Sequence, residues 1–430
     1  MTSTDDQAPP FISRVRVQGF RSLAECDVRL GPLTVLAGFN ASGKSNFLDA
    51  IRFVRDALAY SPAHAIAERG GLESVLRRVG TAGESGGKEI ADSFLIALEL
   101  ALRPDGGRAT YEVCIGRDPT DEFTHLVLRE SCSLRLPGED ASFSTDLSSK
   151  RKRDVKGGIP GARLHPKELL LPVVGRLAPY DELLRALLAM RFYELETDVL
   201  RGLDDTRLRR TQLGERGEHL GQVLGLLAAQ HPSFKESLDG FMRWLIPSLL
   251  GVDQRLQGDY ATIQARFWTG DPVLPFWNAV NSNAVHSGDP YVEVFQSEQL
   301  SEGTVRGTGV LAALFQPDAL TGAIPLVAIE EPEIAIHPAR VAGLFDAIKE
   351  TSIRTQVIVT TQSSDLLDTE EVHPSLLRIV EMVDGVTRIG ELSDHTQRNL
   401  LKNPSHLADM HRQGHLRPAA SVDGGQGPQQ

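Results

Sequence analysis

The stretch that most constrains this chain is Gly38-Phe39-Asn40-Ala41-Ser42-Gly43-Lys44-Ser45. It fits G-x-x-x-x-G-K-[ST], a spacing whose chemistry is the cradling of phosphate. Before it runs Leu33-Thr34-Val35-Leu36-Ala37, an apolar run of strand length. After it come Phe47, Leu48, Ile51, Val54 and Leu58, apolar at helical spacing. Strand, glycine loop and helix thus follow in the order the motif requires. Gly38 and Gly43 let the backbone turn sharply and bring its N–H groups close to an anion. The helix starting near Lys44 aims its positive end at the same place. Lys44 would reach the β- and γ-phosphates, and Ser45 would offer its hydroxyl to Mg²⁺. The competing reading is a Gly-rich turn with a chance lysine, which the matching flanks disfavour.

A chain of 430 residues buries a large core and suggests two lobes. Apolar content of 41% and charged content of 24% are ordinary for a globular protein. The net charge of −12 means that any nucleic-acid contact must use a local basic patch. Cys26, Cys114 and Cys132 form no C-x-x-C pair, which argues against a zinc site and a disulfide framework. A reduced, cytoplasmic setting is expected. The polar stretch Met1 to Gln7 has no apolar signal core, and no run approaches the roughly 20 apolar residues of a membrane span. No membrane association is expected.

Four segments are expected. Residues 1–136 form the first: a flexible start over 1–10, strands around Val15 and Val28, the glycine loop, and a meander of three strands near Phe94–Leu98, Ala109–Ile115 and Leu126–Leu136. Residues 137–284 form an inserted lobe. Its first part, 137–163, is rich in Pro, Gly, Ser and Asp and reads as a mobile loop. Its later part is mostly helical, with Leu183, Leu184, Leu187 and Leu188 on one face and Leu220, Val223, Leu224 and Leu227 on another. Residues 285–395 return to alternating sheet and helix. They include a strand at Tyr291–Phe295, a helix carrying Leu311–Phe315, apolar strands at Leu326–Ile329 and Gln356–Val359, and a terminal hairpin turning at Asp384-Gly385. Residues 396–430 hold a terminal helix and a Gly/Gln/Pro-rich tail expected to be disordered.

Two further stretches carry chemistry. In Ile329-Glu330-Glu331-Pro332-Glu333, Glu330 ends an apolar strand and would sit beside magnesium, while Glu331 could orient or deprotonate an attacking water. The alternative is a common acidic loop after a strand. Leu300-Ser301-Glu302-Gly303-Thr304 precedes a helical run and carries Ser and Gly where a helix N-terminus would meet an anion. Alone it is an ordinary N-cap, with Ser301 capping.

The order of these motifs, with Gly19-Phe20-Arg21-Ser22 before them and Thr360-Thr361-Gln362 after them, resembles the ABC-type ATPase heads of the RecF/SMC group. It is most similar to the compact RecF-like ATPases with an AAA_21-type domain. Asn46 with Asp49-Ala50, His337-Pro338, and His406 through Met410 and on to Pro418 support the resemblance. It covers both ends of the chain, and 137–284 only loosely. The implied fold is an α/β P-loop NTPase: an ABC-ATPase-type head with a mixed sheet, an antiparallel β-meander and a helical insertion lobe. The implied nucleotide contacts are Gly38, Phe39, Asn40, Ala41, Ser42, Gly43, Lys44, Ser45 and Asn46. Ser301 and Gly303 would contact the γ-phosphate held by a second copy. Ser45 and Glu330 would hold Mg²⁺, and Glu331 and Gln362 would serve catalysis. ATP would thereby clamp a homodimer.

Departures from the family pattern bear on turnover. The metal-binding position is usually Asp and here is Glu330; the switch position, often His, is Gln362, which cannot carry a proton. His337 stands where many ABC heads carry Asp, and no Q-loop glutamine is legible. The implied function is ATP hydrolysis with a role on DNA, in repair or defence; the alternative is a slow ATP-dependent switch or scaffold for a partner protein such as a separate nuclease. A transporter motor is disfavoured by the missing Q-loop and the insertion. Little chain follows Ile389, so no intrinsic nuclease is expected. The cluster Lys150-Arg151-Lys152-Arg153 with Lys156 reads as a solvated basic loop, or as a track for a phosphate backbone. His406, His411 and His415 fit no tetrahedral metal site and read as a surface helix. Arg21 is either a nucleotide neighbour or a surface-strand arginine.

Overall fold

The computed structural model describes residues 11–80, 88–102, 106–148, 153–157, 164–270, 291–369, 371–402 and 406–419. The expected flexible start, Lys150 to Lys152, and residues 420–430 of the expected disordered tail lie outside them. Among the described residues no helix is long and apolar enough to cross a membrane. The chain divides into two compact units, one made of Ile12–Leu188 and Val372–Gln430 and the other built on Ala189–Glu371.

The first unit contains a seven-stranded antiparallel sheet. Its order is Arg153–Gly157, Glu139–Leu147, Asp121–Leu136, Arg108–Asp118, Ser93–Ala101, Ile12–Phe20, Leu23–Arg29. Alternation decides which face is buried: Val15 and Val17 go inward while Arg14 and Arg16 stay half-exposed. The same unit carries the strand Leu33–Ala37, buried along its whole length and parallel to Leu377–Val383. The latter turns back antiparallel into Val386–Gly390. Asp384 and Gly385 at that turn have φ of 51° and 75°, the backbone of a tight two-residue hairpin. The helix Lys44–Ala59 is pinned to the sheet by aromatic edges. Phe53 meets Phe20 and Phe94 with ring centroids 5.9 and 5.1 Å apart, both edge-on.

Of residues 137–163, expected as a mobile loop, the described stretches 137–148 and 153–157 instead extend the meander. Glu139–Leu147 pairs back on Asp121–Leu136 around Pro137-Gly138, and Arg153–Gly157 pairs on Glu139–Leu147. The polar composition hid these strands because one face meets solvent; only Phe143 and Thr145 are buried along Glu139–Leu147. Arg153 is likewise not a surface cation. Its side chain and that of Glu130 are both 0% exposed, with Nη2 3.4 Å from the carboxylate. Glu130 also accepts from the Leu170 and Leu171 amides at 2.5 and 2.9 Å and from the Tyr111 hydroxyl at 3.0 Å. Arg153 donates to the Glu168 carbonyl at 2.8 Å. Desolvation pushes the Glu130 carboxyl up and the Arg153 guanidinium down from their ordinary values. The four donors around Glu130, Arg153 among them, oppose that desolvation.

The second unit places three parallel strands side by side: Arg191–Tyr193, Leu326–Glu330 and Gln356–Thr361. Gln356–Thr361 is buried at every position and Leu326–Glu330 at all but its last. The helix Glu302–Phe315 is buried continuously from Thr304 onward, which its small residues and lack of a polar face permit. An antiparallel layer of Leu249–Gln257, Tyr260–Trp268 and Val292–Gln296 packs with the helices Leu220–Gln230 and Pro232–Leu245. The predicted face Leu220, Val223, Leu224, Leu227 is buried there.

The Glu130 cluster generates a stability test. Glu130→Ala leaves Arg153 charged and unpaired in the interior, and should cost about 3–5 kcal/mol in chemical denaturation. A loss below about 1 kcal/mol would show that the cluster is incidental.

Candidate nucleotide-binding site

The P-loop residues of the first unit lie on one strand–loop–helix turn. Ala41 has φ of 59° and Gly43 of 104°, both left-handed, and Gly43 is the N-cap of Lys44–Ala59. No side chain caps that helix and its first turn holds no acidic residue, so its positive end is uncompensated from within. Lys44 is buried, and its ammonium donates to the Gly38 carbonyl at 2.8 Å and the Phe39 carbonyl at 3.0 Å. Ser45 is exposed and Asn46 half-buried. Two left-handed residues before a helix form a concavity of N–H groups suited to an anion.

Thr387, which carried no sequence signal, and the Arg21-Ser22 turn brace this loop. The Thr387 hydroxyl donates to the Ser42 carbonyl at 2.9 Å and lies 2.7 Å from the Ser22 hydroxyl. Ser22 accepts from the Asn46 amide at 2.6 Å. Arg21, at φ of 47°, pairs with Asp49 at 3.0 Å and reaches the Asn46 side-chain oxygen at 3.4 Å. It therefore braces the P-loop helix.

His411 corrects an expectation. It lies on the terminal helix His406–Arg412, but its ring is buried and stacked on Phe39, centroids 5.0 Å apart at 22°. His415 alone stays exposed as expected of the two. Burial first, then the charge of Lys44, lowers the His411 pKa, so the ring is neutral at neutral pH. A cavity of about 250 Å³ opens beside it, lined by Gly38, Asn40, Ser42, Glu381 and Arg417 among others. Arg417 and Glu381 form an ion pair.

The second unit assembles the carboxylates. Glu330 ends its strand half-buried. Glu331 follows at φ of 45°, its N–H held by Thr360 Oγ1 at 3.1 Å and the Thr360 carbonyl at 3.2 Å. The Gln362 amide donates to the Glu331 carboxylate at 2.7 Å, so these two predicted residues meet. Ser301 caps Glu302–Phe315 by accepting from the Thr304 N–H at 3.2 Å. Gly303 has a local reason to be glycine: a Cβ there would lie 2.5 Å from the Ala335 carbonyl, on the turn that follows the carboxylates. His337 caps Pro338–Arg340 by accepting from the Ala339 N–H at 3.2 Å. Glu333, passed over in the sequence apart from its place in the motif, is buried and accepts from the Thr361 hydroxyl.

Desolvation, opposed by the Thr361 hydrogen bond, raises the Glu333 pKa. The unfolded carboxyl therefore gives up its proton first as pH rises, and the folded state then binds more protons. Stability falls with rising pH from about 4.3 up through the folded-state value. Glu333→Gln should flatten that slope, read as denaturant midpoint against pH; an unchanged slope would place the titration elsewhere.

The family model AAA_21, described as "AAA domain, putative AbiEii toxin, Type IV TA system", matches residues 33–368. No curated protein matches the sequence. Among solved structures, the SmcHead bound to the C-winged helix domain of ScpA is 16% identical, covering 91% of this chain and 100% of its own, with a TM-score of 0.50. An Smc head domain with an extended coiled coil, bound to the C-terminal domain of ScpA derived from Pyrococcus furiosus, gives 14% identity, 91% and 99% coverage and a TM-score of 0.49. The SMC head domain from Thermotoga maritima gives 14%, 89% and 99%, and 0.41. At 16% identity the first of these speaks to fold alone, and the fold is that of an SMC-type ATPase head. The match runs through the strand, the phosphate loop, the capped helix and the carboxylate strand, and the chain belongs to the AAA_21 family.

Proposed function

We propose that this chain binds and hydrolyses ATP and that two copies close around the nucleotide. The observation that carries the reading is the loop at Gly38–Asn46: left-handed Ala41 and Gly43, an uncompensated helix N-terminus, and Lys44 parked on two carbonyls. Such a lysine exchanges its carbonyl partners for phosphate oxygens at small cost. Ser45 and Glu330 supply the hydroxyl and carboxylate oxygens that a hard cation prefers. Magnesium, when bound, neutralises charge between the β- and γ-phosphates.

Each remaining residue has its own role on this reading. Glu331 orients or deprotonates the attacking water, and Gln362 fixes the carboxylate that does so. Ser301 and Gly303, at the N-terminus of a long buried helix, meet the γ-phosphate held by the second copy. The object of the cycle is DNA, acted on in repair or defence, and the compartment is the cytoplasm. The buried Arg153 removes one cation from the basic cluster that could serve that contact; Lys156 remains exposed.

One observation favours a second reading, a slow ATP-dependent switch for a protein partner. The 2.7 Å bond from Gln362 occupies the Glu331 carboxylate, and an amide cannot relay its proton. The SmcHead, whose fold this chain shares, is itself held by a protein domain.

Lys44→Ala should abolish ATP binding, measured by calorimetry; retained affinity removes the phosphate loop from function. Glu331→Gln should hold an ATP-bound dimer, read by light scattering with and without ATP; a variant monomeric in saturating ATP refutes the clamp. A steady-state rate raised by single- or double-stranded DNA supports the first reading, and an indifferent, slow rate the second.

A further inference from the structure

We propose that Thr387 is a positioning residue of the phosphate loop, acting through the Ser42–Gly43 peptide. The inference rests on the ATP-binding reading above. Nothing in the sequence motif points to Thr387; it lies 343 residues beyond Lys44 and reaches the loop only because its hairpin pairs beside Leu33–Ala37.

Donors and acceptors around Thr387 can be counted. The Asn46 side-chain amide donates to the Ser22 hydroxyl at 2.6 Å. The Thr387 hydroxyl has one proton, and it goes to the Ser42 carbonyl at 2.9 Å. The 2.7 Å contact between the hydroxyls is then donated by Ser22. Each hydroxyl accepts once and donates once, and the chain runs Asn46, Ser22, Thr387, Ser42 in one direction. Aligned chains of this kind strengthen one another. Thr387 is fully buried, and its own N–H is bound to the Ser22 carbonyl at 2.9 Å, so the hydroxyl cannot drift.

The end of this chain falls on a peptide that matters. Among the described residues the only cis bond is Ala178-Pro179, so Ser42–Gly43 is trans. In a planar trans peptide the C=O and the following N–H point in opposite directions. Thr387 holds the Ser42 carbonyl toward Val386–Gly390, and the Gly43 N–H is thereby aimed away from that strand. The same threonine explains the glycine: a Cβ on Gly43 would lie 2.0 Å from Thr387 Oγ1. Glycine at φ of 104° and a buried threonine thus form one device, which fixes the orientation of a single N–H donor in the anion cradle.

The test uses the full chain. Thr387→Val keeps the shape and removes the hydroxyl. ATP and ADP affinities should each fall roughly tenfold, because the Ser42 carbonyl loses its partner and the peptide can turn. KM should rise by the same factor, with kcat changed by less than about threefold, since the donor serves ground and transition state alike. Thr387→Ser should restore affinity to within about twofold. Thr387→Val that lowers the nucleotide-free melting temperature yet binds ATP as wild type does would overturn the inference and leave the threonine a packing residue. Should Thr387→Val not fold, Ser22→Ala interrupts the same chain and should weaken binding several-fold; wild-type affinity there is equally fatal. Lys44→Ala separates the two levels: lost binding in Lys44→Ala with normal binding in Thr387→Val sinks this inference alone, while normal binding in Lys44→Ala sinks the ATP reading and this one with it.

Discussion

The first unit is organised around an unfavourable placement: the Lys44 ammonium is buried at the positive end of a helix. Like sign faces like sign there, and burial adds desolvation. The Gly38 and Phe39 carbonyls offset part of that cost. An arriving polyanion would offset far more, so the loop is built in a state that favours anion binding. Holding it demands rigidity nearby. Phe53 wedged between Phe20 and Phe94 anchors the helix, and Thr387 anchors the loop. The neighbouring His411 ring, kept neutral by burial and by Lys44, adds no further positive charge.

The second unit handles charge in the opposite sense. Glu330, Glu331 and Glu333 crowd one turn, and Glu331 sits at φ of 45° where a non-glycine residue is strained. A hydrogen bond from the Glu331 N–H to Thr360, and bonds donated by Thr361 and Gln362, hold that turn. Arg306, buried and donating to the Leu195 carbonyl at 2.6 Å, contributes positive potential toward Glu302, Glu333 and Glu331. On the proposed reading, this turn would supply the carboxylates of a metal–phosphate centre. The Lys44 loop and the Glu331 turn are each braced by side-chain hydrogen bonds.

Legibility differed by the range of the interactions involved. The strand–loop–helix at Gly38 was readable because its strand, loop and helix are contiguous and each obeys a local rule of turn, charge or period. The apolar strands Leu326–Glu330 and Gln356–Thr361 were readable from unbroken hydrophobicity. Glu139–Leu147 was not, because a strand with one wet face and serines at alternate positions has the composition of a loop. Arg153 read as solvated because its partner, Glu130, lies 23 residues away on another strand. His411 read as a surface residue because the ring that covers it, Phe39, belongs to the other end of the chain.

The sequence by itself therefore determined the chemistry on offer: a phosphate-cradling loop, a helix cap at Ser301, and two consecutive carboxylates after a buried strand. These are short-range features, encoded by residue type and spacing. Only the tertiary structure decided which distant side chains hold those groups in place. Thr387 is unremarkable as a letter, and it matters because strand pairing carries its hydroxyl to the Ser42 carbonyl and to the Ser22 hydroxyl. A hydrogen bond acts over about 3 Å and has no sequence range, so its partners become visible only once the backbone has folded.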